Sequence, residues 1–218
     1  MDVSKLFSKE DLAEIEAAVK AAERSTSGEI VPCAMGRSDE YPEAVWRAAA
    51  LGAMTAALLA ALLHEALGVW GGAIVLWLAL PALVGGGVGY LFAALVPAVK
   101  RLLIPEDVLV QRVAARATSA FVEHEVFATA ERTGILLFLS VFERRVLVLG
   151  DAGINAKVEQ HEWDEIVAAV AAGIRAGTPG RALAEAIGRC GDLLHRRGVE
   201  LRPGDVDELP DRLRTSAE

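Results

Sequence analysis

An apolar, nearly uncharged block between Ala44 and Val99 constrains this chain more than any other feature. From Ala48 to Leu63, and again from Ala66 to Val99, there is no Asp, Glu, Lys or Arg, and only His64 and Glu65 interrupt the run. A helix rises about 1.5 Å per residue and bilayer hydrocarbon is about 30 Å thick, so about 20 apolar residues make one crossing. The first stretch reaches that length if it begins near Ala44 and Arg47 extends its charged end to the interface. The second is longer than one crossing requires. A buried helix of a soluble core would carry a polar outer face at helical spacing, and this block has none.

Segments on both sides of the block read as parts of one domain, as argued below, so the chain must return to the side it left. The number of crossings is then even. Two helices are expected, about Ala44–Leu63 and about Gly72–Val99, the second bent or broken near Pro81 and Gly85, Gly86, Gly87 and Gly89. Arg37 and Arg47 precede the hairpin and Lys100 and Arg101 follow it, whereas its turn holds only His64 and Glu65. By the positive-inside rule the soluble part is expected in the cytoplasm. Small residues, Gly85, Gly89 and the alanines of the first helix among them, permit close helix approach, either between copies of the chain or within the hairpin itself.

Outside the block the chain reads as a soluble protein, which reconciles a 53% hydrophobic content with 24% charged residues. A net charge of -8 and the absence of a basic stripe argue against a nucleic-acid partner, since phosphate neutralisation requires clustered Lys and Arg. Met1–Lys20 carries charges throughout and has no apolar core segment, unlike a secretory signal. Cys33 and Cys190 match no metal-ligand spacing. They read as two unpaired core thiols, with a disulfide as the alternative.

The soluble residues divide as follows. Ser8 to Arg24 is expected as a helix, with Ser8 as N-cap and Leu12, Ile15, Val19 and Ala22 at helical spacing. Glu29–Met35 is expected as a strand, with Pro32 suggesting an edge or bulge. Beyond the block, Pro105 opens a helix to about His124 with Val110, Val113, Ala117, Ala120 and Phe121 on its apolar side. The apolar runs Ile135–Val141 and Val146–Leu149 suit central strands, paired as a hairpin through Phe142–Arg145. Two helices follow, about Asn155–Ala176 and Pro179–Arg197, and then a polar, acidic tail expected to be flexible from Pro203. The expected domains are residues 1–43 and 100–202 as one soluble unit, 44–99 as a membrane hairpin, and 203–218 as the tail.

An ordered series of motifs then stands out: Glu131-Arg132-Thr133-Gly134-Ile135-Leu136-Leu137-Phe138-Leu139-Ser140, Glu143-Arg144-Arg145-Val146 and Gly150-Asp151-Ala152-Gly153-Ile154, with Ser27-Gly28-Glu29-Ile30-Val31 upstream and Trp163, Ile166 and Val167 downstream. The series resembles the TPM domain, a family named for thylakoid-lumen, photosystem-repair and acetylcholine-receptor-associated members, in its bacterial membrane-anchored form with a hydrophobic insert after the first strand. The resemblance implies an α/β fold, a three-layer α/β/α sandwich with a mixed sheet, here interrupted by a transmembrane helical hairpin in the bacterial inner membrane. It also implies either support of membrane complexes or weak metal-dependent phosphatase action. The lumenal members carry a denser acidic cluster near the hairpin, of which only Asp151 is plainly matched here.

The candidate polar group comprises Glu29, Arg132, Glu143, Arg144, Arg145 and Asp151, all at expected strand ends, where open α/β sheets place their sites. Glu29, Glu143 and Asp151 would offer oxygen ligands to a divalent cation, Ca²⁺ or Mg²⁺. The alternative roles are structural: a hairpin-end ion pair for Glu143, and a turn or helix cap for Asp151. His124, His161 and His195 share no metal-ligand spacing, no Ser or Cys lies in a nucleophile turn, and no phosphate-cradling loop lies outside the apolar block. The expectation is a membrane-anchored interaction module, non-enzymatic and self-associating or bound to other membrane proteins, with a membrane-tethered hydrolase as the rival.

Overall fold

The computed structural model describes residues 3, 6–68, 74–201 and 208–216. It divides into two compact units, one built from the chain up to Asp39 and from Gln111 onward, the other Glu40–Val110.

In the first unit, helix α1 is Lys9–Glu23. Ser8 caps it reciprocally with Asp11, each side chain accepting from the other's backbone N–H, at 3.0 Å and 2.8 Å. Strands β1 (Glu29–Met35), β2 (Gly134–Ser140), β3 (Arg145–Gly150) and β4 (Arg214–Ser216) form an open mixed sheet of order β3-β2-β1-β4. β1 and β2 are parallel, Glu29 opposite Gly134 and Met35 opposite Ser140. β2 and β3 form the expected antiparallel hairpin.

Alternate residues of the strands feed two apolar clusters. Ile30, Ala34, Ile135, Leu137 and Leu139 join helical residues such as Ile15, Val19, Val170, Leu183 and Leu194. Val31, Cys33, Met35, Leu136 and Phe138 join Val113, Ala117 and Ala120. The latter three lie on α5, Glu106–Glu123. Cys33 and Cys190 are both buried and free, one in each cluster, so the sheet separates them and no disulfide forms.

Several expectations are corrected. β3 is an edge strand, only half-buried along its length, because its outer side has no partner strand among the described residues. β1 is internal, yet its neighbour β4 (Arg214–Ser216) pairs only with Cys33–Met35, so Pro32 lies where β2 alone flanks the strand. Part of the segment expected as a flexible tail therefore completes the sheet, while its residues 203–207 lie outside the described residues. The helix expected over Asn155–Ala176 is split into α6 (Ala152–Asn155), a 3₁₀ turn at Gln160–Trp163 and α7 (Asp164–Arg175). A Glu159–Glu162 capping pair and the burial of Trp163 impose that turn. Helix α8 is Pro179–Arg196. Val110 is 44% exposed rather than in the core.

In the second unit, α2 (Pro42–Leu67) and α3 (Ile74–Leu95) are each long and apolar enough to cross a membrane, and almost none of the apolar stretch is buried within the protein, 6% in α2 and 0% in α3. The start expected at Gly72 lies outside the described residues. α3 runs through Pro81 and the glycines unbroken. The helix breaks instead at Val96, which is extended (φ -113°, ψ 97°) as the residue before a proline prefers, and α4 (Pro97–Leu102) begins at Pro97.

α2 and α3 pack antiparallel with backbones in direct contact. A Cβ added at Gly52 would lie 2.3 Å from the Gly85 carbonyl oxygen, and one at Gly89 would lie 2.3 Å from that of Ala48. The small residues thus form the seam inside the hairpin, as small-residue motifs do between membrane helices. Aromatic pairs stand at both ends of the seam: Trp46 meets Tyr90 edge-on at 5.5 Å, and His64 lies 6.1 Å from Trp77, whose indole N–H donates to the Ala60 carbonyl.

Gly85→Val should destabilise the hairpin by about 1–3 kcal/mol, because its Cβ would sit 2.5 Å from the Gly52 carbonyl oxygen and force the helices apart. Gly87→Val, with nothing within 4 Å of the added Cβ, should be close to neutral. Denaturant unfolding of the two variants in detergent measures the difference.

Candidate functional site

The register of the sheet decides which candidate residues meet. Glu29 opens β1 beside Gly134, and Asp151 follows β3, its N–H donating to the Gly134 carbonyl at 2.9 Å. Glu29, Arg132 and Asp151 therefore lie at one end of the sheet. Glu143, Arg144 and Arg145 lie at the other, where β2 turns into β3. Six steps along β2 at about 3.3 Å each separate the two groups by roughly 20 Å. The trio Glu29, Glu143 and Asp151, expected to share a cation, does not come together. Among the described residues no group of three or more His, Cys, Asp or Glu is placed to hold a metal ion.

At the first end Asp151 is the organising group. Its carboxylate accepts from Arg132 through both Nε and Nη2, the latter at 2.9 Å, and from the Ala152 N–H at 2.7 Å, capping α6. Arg132 adopts a left-handed backbone (φ 58°) and lies over the Phe127 ring at 5.9 Å. The Gly153 N–H donates to the Arg132 carbonyl, and a Cβ at Gly153 would lie 2.3 Å from the Glu131 carbonyl oxygen, so only glycine fits that approach. Thr133 ties the same turn to β1, its hydroxyl donating to the Ser27 carbonyl and its N–H to the Thr129 hydroxyl, both at 2.8 Å. Glu29 is buried and accepts from the N–H groups of Glu208 and Leu209 at 3.3 Å. The Arg-Thr-Gly and Gly-Asp-Ala-Gly motifs thus fold into one clasp joining the start of β2 to the end of β3. The turn or cap role expected of Asp151 is the one its contacts describe.

At the second end Glu143 is fully buried. It accepts from the Ser38 N–H at 2.8 Å and from the Ser140 hydroxyl, which is 2.9 Å from that of Ser38. Arg144 is exposed with φ 55°, a left-handed position in the four-residue turn that reverses the chain. Arg145 pairs with Ser140 across the hairpin. Sequence reading did not single out Ser38, Ser140, Thr129 and Thr133: Thr133 and Ser140 lay within the motif series as unassigned residues, and the contacts of Ser38 with Glu143 and Ser140 and of Thr133 with Ser27 form only when the strands pair across the apolar block.

Burial raises the Asp151 carboxyl, but the Arg132 hydrogen bonds, the Ala152 N–H and the Arg132 charge together outweigh it and hold the group below its ordinary value. Burial pushes the Cys33 thiol up to about 12, against the opposing charges of Arg116 and Arg214, and burial pushes Cys190 up to about 12. Both thiols are protonated at neutral pH and unsuited to nucleophilic work.

No family model matches the chain, and no curated protein matches it. Among solved structures it is similar to the NMR structure of the BA42 protein from the psychrophilic bacterium Bizionia argentinensis, with a TM-score of 0.59 and 18% identity, over 96% of this chain and 95% of that one. At that identity the likeness is one of fold.

A carboxylate held below its unfolded value contributes stability that is complete above the unfolded pKa and is lost as pH falls through the folded one. Asp151→Asn should therefore lower stability by on the order of 1 kcal/mol at neutral pH, as loss of a capping acceptor does. The gap to the native protein should close below about pH 4, the ordinary Asp value. Thermal unfolding of both proteins across this range measures it.

Proposed function

We propose that the chain is a membrane-anchored interaction module of the TPM-like type, built as an α/β/α sandwich whose helical hairpin crosses the bacterial inner membrane and leaves the soluble unit in the cytoplasm. Its work is binding other membrane proteins or further copies of itself rather than catalysis. The observation that carries this reading is the hairpin surface. Leu58, Leu62, Leu67, Val75, Leu76, Leu83, Leu91 and Leu95 are each at least 58% exposed, an outer face suited to lipid and unsuited to water.

Three further features support it. Trp46 and His64, one from each end pair, are separated by about 27 Å of helix, close to the hydrocarbon thickness, and aromatic rings favour the two interfaces. The chain leaves the soluble unit after Asp39 and re-enters it at Gln111, and β1 and β2 on either side pair directly, which requires an even number of crossings. Arg37, Arg47, Lys100 and Arg101 flank the end of the hairpin nearer the soluble segments. The Gly52–Gly85–Gly89 seam is occupied within the hairpin, so self-association is assigned to the outward faces, such as that of Leu83, Gly87 and Leu91 on α3.

The two native cysteines are buried, so new ones report cleanly. Glu65→Cys should react with a membrane-impermeant maleimide in intact cells, and Arg181→Cys only after lysis. The reverse pattern would overturn the orientation, and labelling of both from one side would overturn the crossing. In detergent and in nanodiscs the protein should run as an oligomer, and a strictly monomeric mass would remove self-association.

A further inference from the structure

A cationic cluster apart from every motif named so far lies where β1 and β4 meet the end of α5. Cys33 pairs with Arg214 in the parallel register, and residues so paired send their side chains to the same face of the sheet. For Cys33 that is the face covered by α5. His124, just past the end of α5, brings its ring Nε2 to 3.7 Å from the Cys33 sulfur. Two turns earlier on α5, Arg116 donates to Glu123 at 2.8 Å. Arg116 and Arg214 both act electrostatically on Cys33 and on His124. One edge thus gathers two guanidinium groups and an imidazole around a neutral thiol, with the Glu123 carboxylate acting on the thiol and the imidazole.

The charge is unbalanced. Arg214 donates to the Pro210 carbonyl at 3.3 Å, while its Nε is buried with no hydrogen-bond partner among the described residues. A buried donor left unspent carries its desolvation cost uncompensated, so an added acceptor there is favoured. Burial and the neighbouring Arg212 both disfavour the Arg214 charge. In a chain of net charge -8 this local excess of cations runs against the general trend.

We propose that Arg116, His124 and Arg214 form a binding site for a small oxyanion of the phosphate class. A tetrahedral oxyanion accepts from planar guanidinium groups at several points, and a turn of the Arg214 guanidinium about its terminal bonds would bring its unspent donor to the ligand. His124 supplies a third donor whose charge depends on occupancy. Without ligand its pKa lies below the ordinary value, through burial first and then Arg214 and Arg116, with Glu123 opposing. A bound anion offsets both guanidinium charges, so His124 takes up a proton as the anion binds. Affinity then rises as pH falls through the ordinary His range.

Titration calorimetry on the detergent-solubilised full chain, with inorganic phosphate and separately with sulfate, tests this. Saturable binding of both is expected, weakened about tenfold in Arg214→Gln, the equivalent of one charge-assisted hydrogen bond. Sulfate keeps its charge in this range, so its affinity reports His124 alone. It should rise from about pH 7.5 to about pH 6, on either side of the ordinary His value, and lose that slope in His124→Gln. No saturable binding to the native protein would overturn the proposal, as would unchanged affinity in an Arg214→Gln variant with native melting. If Arg214→Gln fails to fold, the sulfate slope decides: its presence in the native protein and absence in His124→Gln support the site, and a flat native profile overturns it.

Discussion

Parallel pairing of β1 with β2 is the contact on which the rest of this molecule depends. Parallel neighbours need a crossover, and here the crossover contains the whole apolar hairpin, α4 and α5. Closing so long a loop costs entropy, but the cost grows only logarithmically with length, so the insert adds little to it. Both strands are buried along their full length, which gives the closure its compensating hydrophobic gain. The register also fixes which polar groups become neighbours. Glu29, Arg132 and Asp151 fall at one end, and Ser38, Ser140 and Glu143 at the other.

The polar residues at the sheet ends are engaged in holding the chain. Asp151 gathers the Arg132 guanidinium and the first N–H of α6, Glu29 receives two N–H groups of the C-terminal segment, and Glu143 receives Ser38 and Ser140. Buried carboxylates satisfied in this way stabilise loops that have few apolar contacts of their own. The clasp around Gly153 and Arg132 explains why glycine and a left-handed arginine occur there at all.

The hairpin solves a different packing problem. In the proposed membrane setting, apolar side chains would gain nothing by meeting each other, and helix association would come from close van der Waals contact. Gly52, Gly85 and Gly89 allow backbone to touch backbone. The large side chains are left to face outward, which is the inverse of the arrangement in the first unit.

Much of the architecture was legible in the residues themselves, because it rests on local physics. Hydrophobic periodicity and capping placed α1 and the hairpin β2–β3 within a residue or two, and the absence of charge marked the two long apolar helices. Other features depend on partners distant in sequence. β4 is three polar residues, invisible as a strand until β1 lies beside it. The break falls at Val96, before Pro97, and not at Pro81, a choice between two prolines that the local preference of the preceding residue does not make by itself. The separation of the six candidate residues into two groups was set by strand direction, which no single segment encodes. Nor could the chain alone say that Cys33, His124 and Arg214 would converge, since that depends on the sheet bringing its last strand against its first.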